Sequence, residues 1–304
     1  MTVPKQVIVE TTGACNLSCP GCYREQGDHA STHMDQELFE SIIRELATWG
    51  PKPEIIPFCH GEPLMDPHFY ERLRFIESYG LKWKFCTNGT IANWKVFDLA
   101  LKSDLCQSIL FSIDGWSPRT IAETRGIEAL LAPHILTTLL TRHSKQKPWL
   151  GVRMRRVSQD YAEVEDFIRG WLLAGADMVL VCRNVEQAAR SVLETNPRCH
   201  YLEGRTAVIF NNGSLHICDR RVPTWAWGRL EGESYLELWN RAREKELRKP
   251  HCRTCPQRYN GEGFHGELWP RGDLAGVVGP IYYHEDQFQS VYSLRDEKKG
   301  ISWK

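Results

Sequence analysis

The chain has 304 residues, with 38 Lys and Arg balanced by 38 Asp and Glu. That length holds a full α/β domain and an appendage, and the zero net charge provides no global field to draw in nucleic acid or an anionic membrane surface. The opening MTVPKQVIVE lacks a signal-peptide pattern, and no apolar run approaches the ~18 residues of a membrane span, so a soluble cytoplasmic protein is expected.

Residues 6–10, QVIVE, read as a strand, and a loop follows at once in which Cys15, Cys19 and Cys22 are spaced C-x3-C-x2-C. In DQELFESIIRELATWG, residues Leu38, Phe39, Ile42, Ile43, Leu46 and Ala47 share one helical face, with Asp35 as N-cap and Gly50-Pro51 as stop. Strands are expected at 54–59, 82–87, 108–113, 149–154 and 177–182. Helices are expected at 69–80, near 93–102, at 129–142 and at 161–175. Six βα-type units imply a parallel sheet flanked by helices. They are fewer than the eight of a closed barrel, which leaves a partial open barrel or a doubly wound sheet. Either places ligands at the C-terminal strand ends, and the unusual residues lie there: the cysteine loop, then HGEP, TNG and DG. After about residue 190 the pattern changes to a hairpin over 205–219 with Asn212-Gly213 at its turn, a charged helix over 235–249, and HCRTCP. The expected division is a barrel over 1–190, a small α+β module over 191–265, and a tail over 266–304. Trp269, Tyr282, Tyr283, Phe288, Tyr292 and Trp303 of the tail show no clear period and suit a lid, a barrel cover or an interface.

Eleven cysteines in a reducing compartment need an explanation other than disulfides, and their clustering points to metal. Three soft thiolates can hold three irons of a [4Fe–4S] cube and leave the fourth open, a site built for chemistry rather than structure. Cluster potentials reach low enough to inject an electron into a reluctant substrate.

CNLSCPGC resembles the signature of the radical S-adenosylmethionine (radical SAM) enzymes, which have a partial (βα)6 TIM-like barrel. The resemblance implies that the methionine end of S-adenosylmethionine chelates the open iron. One electron from the cluster then breaks the sulfonium C5′–S bond, and the 5′-deoxyadenosyl radical takes hydrogen from substrate. HGEPL (60–64) resembles the family's GGEP motif, which implies that Gly61, Glu62 and Pro63 meet the methionine ammonium; His60 stands where glycine is usual. CTNGT (86–90) implies Thr87 and Asn88 as cofactor-lining residues. FSIDG (111–115) implies Ser112 and Asp114 at the ribose and methionine ends, and RTIAETRG places Arg125 at the methionine carboxylate. Gly21 stands where an aromatic is usual, so Tyr23 is expected to contact the adenine. Singly, Glu62, Asn88-Gly89 and Asp114-Gly115 also read as a cap and turn pairs; their order at successive strand ends favours the cofactor.

Cys199, Cys218, Cys252 and Cys255 resemble the twitch domain, a shortened SPASM domain, which implies one auxiliary [4Fe–4S] cluster closed by four thiolates. A structural zinc on the same thiolates is the alternative. Of the single cysteines, Cys59, Cys86 and Cys106 read as small hydrophobes. Cys182 ends the sixth expected strand and is a candidate hydrogen donor to a substrate radical. Arg153 and Arg155 share one strand face, as substrate or auxiliary-cluster contacts or as a rim salt bridge. His60 is a further substrate-side candidate.

The twitch resemblance points to a small polar substrate, an aminoglycoside or related sugar, oxidised or epimerised at a hydroxyl-bearing carbon. A peptide-modifying maturase is the third option, disfavoured because the first strand begins at residue 6. A molybdopterin-type cyclase is disfavoured by the four-cysteine set, and a zinc or iron–sulfur binding protein is the non-enzyme reading. A flavodoxin- or ferredoxin-type electron donor is implied.

Overall fold

The computed structural model describes residues 2–22, 24, 32–143, 147–155, 159–182, 205–219, 227–228, 233–246, 266–270 and 281–283. Helices in the barrel region form along apolar stripes, and those that begin at Gln36, Trp94, Pro118 and Tyr161 start at a side-chain cap. The Asp35 carboxylate accepts from the Leu38 N–H at 3.0 Å and starts α1 (Gln36–Ala47), which buries Phe39, Ile42, Ile43 and Leu46. At ~1.5–3 kcal/mol per buried side chain, that stripe fixes the helix in the core. The same logic gives α3 (Trp94–Lys102) capped by Asn93 and α6 (Tyr161–Leu173) capped by Asp160, while α2 (Phe69–Ser78) rests on its buried stripe of Phe69, Leu73 and Ile76 without a side-chain cap.

Between the helices run β1 (Gln6–Val9), β2 (Glu54–Ile56), β3 (Trp83–Thr87), β4 (Cys106–Ser112), β5 (Trp149–Arg155) and β6 (Met178–Cys182), each parallel to its neighbours in that order. The six strands follow one another in chain order without a reversal and the sheet is unclosed, which selects the partial barrel over the doubly wound sheet. Beyond β1, strand β7 (Thr206–Ile209) pairs parallel with it, and β8 (Leu215–His216) pairs antiparallel with β7. Gly213, at φ +79°, takes the left-handed turn position that the Asn-Gly pair offers.

Three segments differ from the sequence expectation. Strand β2 ends at Ile56, ahead of Pro57, and is shorter than 54–59. An unexpected helix, α4 (Pro118–Arg125), precedes a 3-10 turn and α5 (Leu131–Arg142). Only Ile121 and Thr124 of α4 are buried, so its apolar period is faint, yet Ser117 caps it and Gly126, at φ +96°, ends it. Part of the tail is sheet: β9 (Gly266–Pro270) pairs antiparallel with β6, and β10 (Ile281–Tyr283) with β9. The ten strands run β10-β9-β6-β5-β4-β3-β2-β1-β7-β8. Between β8 and β9 lies α7 (Tyr235–Glu246), with Tyr235, Leu238, Trp239 and Ala242 buried.

Strand residues alternate between two interiors. Ile109, Phe111, Val152 and Val179 join the main core with the helices, whereas Leu110, Trp149, Met178, Leu180 and Cys182 pack with Cys86 in a separate cluster on the opposite face. Gly151 belongs to that second face; a Cβ there would lie 2.3 Å from Met178 Cγ. No described helix is long and apolar enough to cross a membrane.

Candidate functional site

The loop after β1 is anchored before its cysteines begin. Arg72 of α2 is fully buried beside Asp66, and its Nη1 donates to Asp66 Oδ2 and to the Thr11 carbonyl, both at 3.0 Å. It also donates to Gln36 Oε1 at 3.1 Å and to the Met34 carbonyl. Gly61 brings the loop after β2 against this one: a Cβ there would sit 2.1 Å from the Thr12 carbonyl oxygen and 2.8 Å from that of Ala14. The Glu62 N–H donates to the Ala14 carbonyl at 2.7 Å. Only glycine allows that approach.

Two of the three thiols meet a neighbour, and the third cysteine is tied through its backbone. Asn88 Nδ2 donates to Asn16 Oδ1 at 2.9 Å and reaches Cys15 Sγ at 3.8 Å, and Asn16 Nδ2 donates to Thr90 Oγ1 at 2.8 Å. Cys19 Sγ donates to the Arg125 carbonyl at 3.8 Å, and the Cys22 N–H to the Cys19 carbonyl at 3.1 Å. Burial pushes the Cys15 and Cys19 thiols up from their ordinary range, so their ionisation waits on a cation. One tetrahedral ion with Zn–S bonds of ~2.3 Å would draw its sulfurs to roughly 3.8 Å apart. Among the described residues, only Glu10, Cys59 and His60 bring three such ligand atoms within 4.8 Å of one another. Cys15, Cys19 and Cys22 are not among such groups; three soft thiolates on one loop, each able to take its own iron, suit a cluster.

Glu62 sits over this loop, with its side chain turned into the protein. Its Oε1 accepts from Thr87 Oγ1 at 2.7 Å and from the Leu64 N–H at 3.1 Å, and Oε2 accepts from the Asn88 N–H at 2.6 Å. It thereby caps the 3-10 turn Pro63–Met65 and ties the ends of β2 and β3. Burial nevertheless outweighs these bonds and raises its pKa to about 7. The cap that the sequence offers for Glu62 is formed.

Asp114, fully buried after β4, is the matching node on the other side. Its Oδ1 accepts from the Arg155 N–H at 2.6 Å, and its Oδ2 lies 2.8 Å from Arg125 Nε. Its carbonyl takes Gln159 Nε2 at 2.6 Å and Thr124 Oγ1 at 3.2 Å. Ser112 ends β4 half-buried, on the same face as Leu110.

Arg153 and Arg155 share a face of β5, as their spacing requires, but meet different partners. Arg153 Nε donates to Cys182 Sγ at 3.3 Å and also interacts with Cys86. Burial alone would pull this guanidinium down; the two sulfurs outweigh it and hold it above its usual value. Arg155 turns to the cysteine loop, where its Nη1 donates to the Gly21 carbonyl at 2.8 Å and its Nη2 to that of Pro20 at 2.9 Å. Its fork is thus taken by loop carbonyls, whereas Arg153 is the one of the pair that faces the sulfurs. His60 stacks on Phe210 with centroids 5.8 Å apart, with its Nδ1 3.6 Å from Glu10 Oε1 and its Nε2 3.9 Å from Cys59 Sγ.

Cys218 is half-buried against the main core. Cys199, Cys252, Cys255 and Tyr23 lie outside the described residues. The sequence reading did not pick out Glu10, Asn16, Arg72 or Gln159. Asn16 lies inside the quoted cysteine motif, and Glu10 ends the first strand in register with Gln6 and Ile8, which is the signal that could have found them.

A sequence model of the radical SAM superfamily matches residues 9–132, and one of the SPASM iron–sulfur cluster-binding domain matches residues 199–256. The tungsten-containing aldehyde ferredoxin oxidoreductase cofactor-modifying protein of Pyrococcus furiosus is 23% identical over 316 residues, covering 84% of this chain and 88% of its own. In fold, the chain is similar to Streptococcus suis SuiB bound to precursor peptide SuiA, with a TM-score of 0.66, 11% identity, and 85% and 71% of the two chains covered. It is also similar to BtrN in complex with AdoMet and 2-DOIA, with a TM-score of 0.51, 14% identity, and 85% and 88% covered. These matches bring S-adenosylmethionine and a [4Fe–4S] cluster to the first motif region and auxiliary iron–sulfur binding to the second. The chain carries a radical SAM superfamily domain over residues 9–132 and an iron–sulfur cluster-binding domain of the SPASM/twitch type over residues 199–256.

Proposed function

We propose that this enzyme removes a hydrogen atom from a hydroxyl-bearing carbon of a small polar substrate, an aminoglycoside or related sugar, and returns one from Cys182 to the opposite face, giving epimerisation. The observation that carries this reading is the Arg153–Cys182 contact at 3.3 Å. It fixes a buried thiol at the C-terminal end of β6, on the strand face opposite the helix-packed core. Cys15, Cys19 and Cys22 would hold the cluster, and Gly61, Glu62, Pro63, Thr87, Asn88, Ser112, Asp114 and Arg125 would line the cofactor. When bound, cluster and S-adenosylmethionine together supply the hydrogen-abstracting radical. Cys182 then gives the hydrogen of its S–H to the substrate carbon, and regains one electron from the flavodoxin- or ferredoxin-type donor and one proton from solvent. Arg153 holds the sulfur in place for that transfer.

Turnover in deuterium oxide tests the reading. An epimerase working through Cys182 places solvent deuterium at the reacting carbon, and Cys182→Ala loses that label. A product two hydrogens poorer and without label would overturn epimerisation. It would favour oxidation at the same carbon, the second reading, which the Glu10–His60 pair at 3.6 Å supports as an acceptor for the hydroxyl proton.

Glu62 gives this account a pH signature. Its pKa of about 7 in the ligand-free fold lies above the ordinary carboxylate value. Between the two, the folded protein keeps a proton that the unfolded chain has lost, so ionising Glu62 costs stability as pH rises through about 7. A bound methionine ammonium favours the ionised carboxylate. Affinity for S-adenosylmethionine should therefore fall about tenfold per pH unit as pH drops below 7, and Glu62→Gln should flatten that slope while weakening binding. Equilibrium dialysis of the reconstituted protein between pH 6 and 8 measures it; an equal slope in both proteins would remove Glu62 from the ammonium.

A further inference from the structure

Arg155 is held on one side and grips the cysteine loop with the other. Its backbone N–H donates to Asp114 Oδ1 at 2.6 Å, and its guanidinium approaches Asp114 Oδ2 at 3.8 Å. The two terminal nitrogens donate outward to the carbonyls of Pro20 and Gly21, at 2.9 and 2.8 Å. Those two residues are the whole of the chain between Cys19 and Cys22. A guanidinium presents its donors in a rigid plane, so it sets the separation of two adjacent carbonyls in a way an ammonium does not.

Within the turn itself the Cys22 N–H donates to the Cys19 carbonyl at 3.1 Å, and its tip is open. Gly21 lies at φ +65°, and no heavy atom beyond its chain neighbours comes within 4 Å of where its Cβ would be. No side chain of the turn itself packs there.

The charges add a second consequence. Asp114 lies 2.8 Å from Arg125 and 3.8 Å from Arg155, so one carboxylate faces two guanidinium groups. An excess positive charge remains beside the cysteine loop. The reduced form of a cluster carries one more negative charge than the oxidised form, and a nearby cation favours it.

We propose that Arg155 is a positioning residue for the iron–sulfur site: it presets the Cys19–Cys22 turn through the Pro20 and Gly21 carbonyls, and its charge raises the reduction potential of the cluster held there. This rests on the reading of Cys15, Cys19 and Cys22 as cluster ligands and is independent of the substrate. Lysine keeps the charge without the fork, and glutamine removes the charge.

The full chain is reconstituted anaerobically as wild type, Arg155→Gln and Arg155→Lys, with Arg119→Gln as an exposed-cation control on α4. Redox titration followed by electron paramagnetic resonance gives the potential, and timed exposure to a chelator gives iron retention. Arg155→Gln should show a lower potential and lose its site iron about tenfold faster. Arg155→Lys should keep a potential near wild type yet lose iron as fast as the glutamine variant, and Arg119→Gln should match wild type throughout. If the glutamine variant does not fold, the separation of potential from iron retention in the lysine variant still decides. Both Arg155 variants matching wild type on both readouts would overturn the proposal. A wild type that takes no iron at these cysteines would instead sink the cluster reading itself.

Discussion

Replacing Arg72 with methionine should destabilise the protein by about 3–5 kcal/mol, because it removes one partner of a fully desolvated ion pair and strands the other. Arg72 and Asp66 are both fully buried and 3.0 Å apart. Methionine fills much of the volume but offers nothing to Asp66 or to the Thr11 and Met34 carbonyls, which arginine ties together. A buried acceptor left unpaired costs about 1–3 kcal/mol by itself. Arg72→Lys should recover only part of the loss, since one ammonium cannot span acceptors drawn from Asp66 ahead of α2, the β1 loop and the segment before α1. Urea denaturation of the anaerobic protein measures this. A loss below about 1 kcal/mol would show that the pair costs as much to bury as it returns.

The damage should not stay in the core. Thr11 leads directly into Thr12, whose carbonyl lies against Gly61, and into Cys15 four residues on. Arg72 is thus a structural residue whose loss reaches the cysteine loop through the backbone it holds.

Arg72 also shows where the sequence was opaque. FYERLRFIES reads as an amphipathic helix, and an arginine in it belongs by pattern on the wet side. Its burial follows from Asp66, six residues before it, and from the more distant acceptors of Thr11, Met34 and Gln36, which no local period records. The parallel strands were legible because continuous apolar runs such as SILFSI and DMVLVC mark strands buried on both faces. The cysteine loop, HGEP and Asn88 were legible because their residue types and spacing carry chemistry. The parity of Arg153 and Arg155 told that they share a face, but not that one meets Cys182 and the other the loop. Helix α4 was missed because it buries only two side chains, although its cap and glycine stop were in plain view. Strand β9 was missed because its partner, β6, is remote in the chain, and pairing over that distance leaves no mark in GELWP itself.

The second large effect is on metal content. Cys15, Cys19 and Cys22 sit on the loop that Asn88, Arg125 and Arg155 contact, while the cysteines expected to bind the auxiliary cluster lie in the separately matched 199–256 region. The two sites should therefore load independently. The measurement to make first is iron and sulfide in anaerobically reconstituted wild type and in Cys15→Ala/Cys19→Ala/Cys22→Ala. Two cubes predict about eight irons and eight sulfides falling to about four of each. About four irons falling to none, with zinc retained, would contradict the account: the second set would then be structural, and no auxiliary iron–sulfur site would exist.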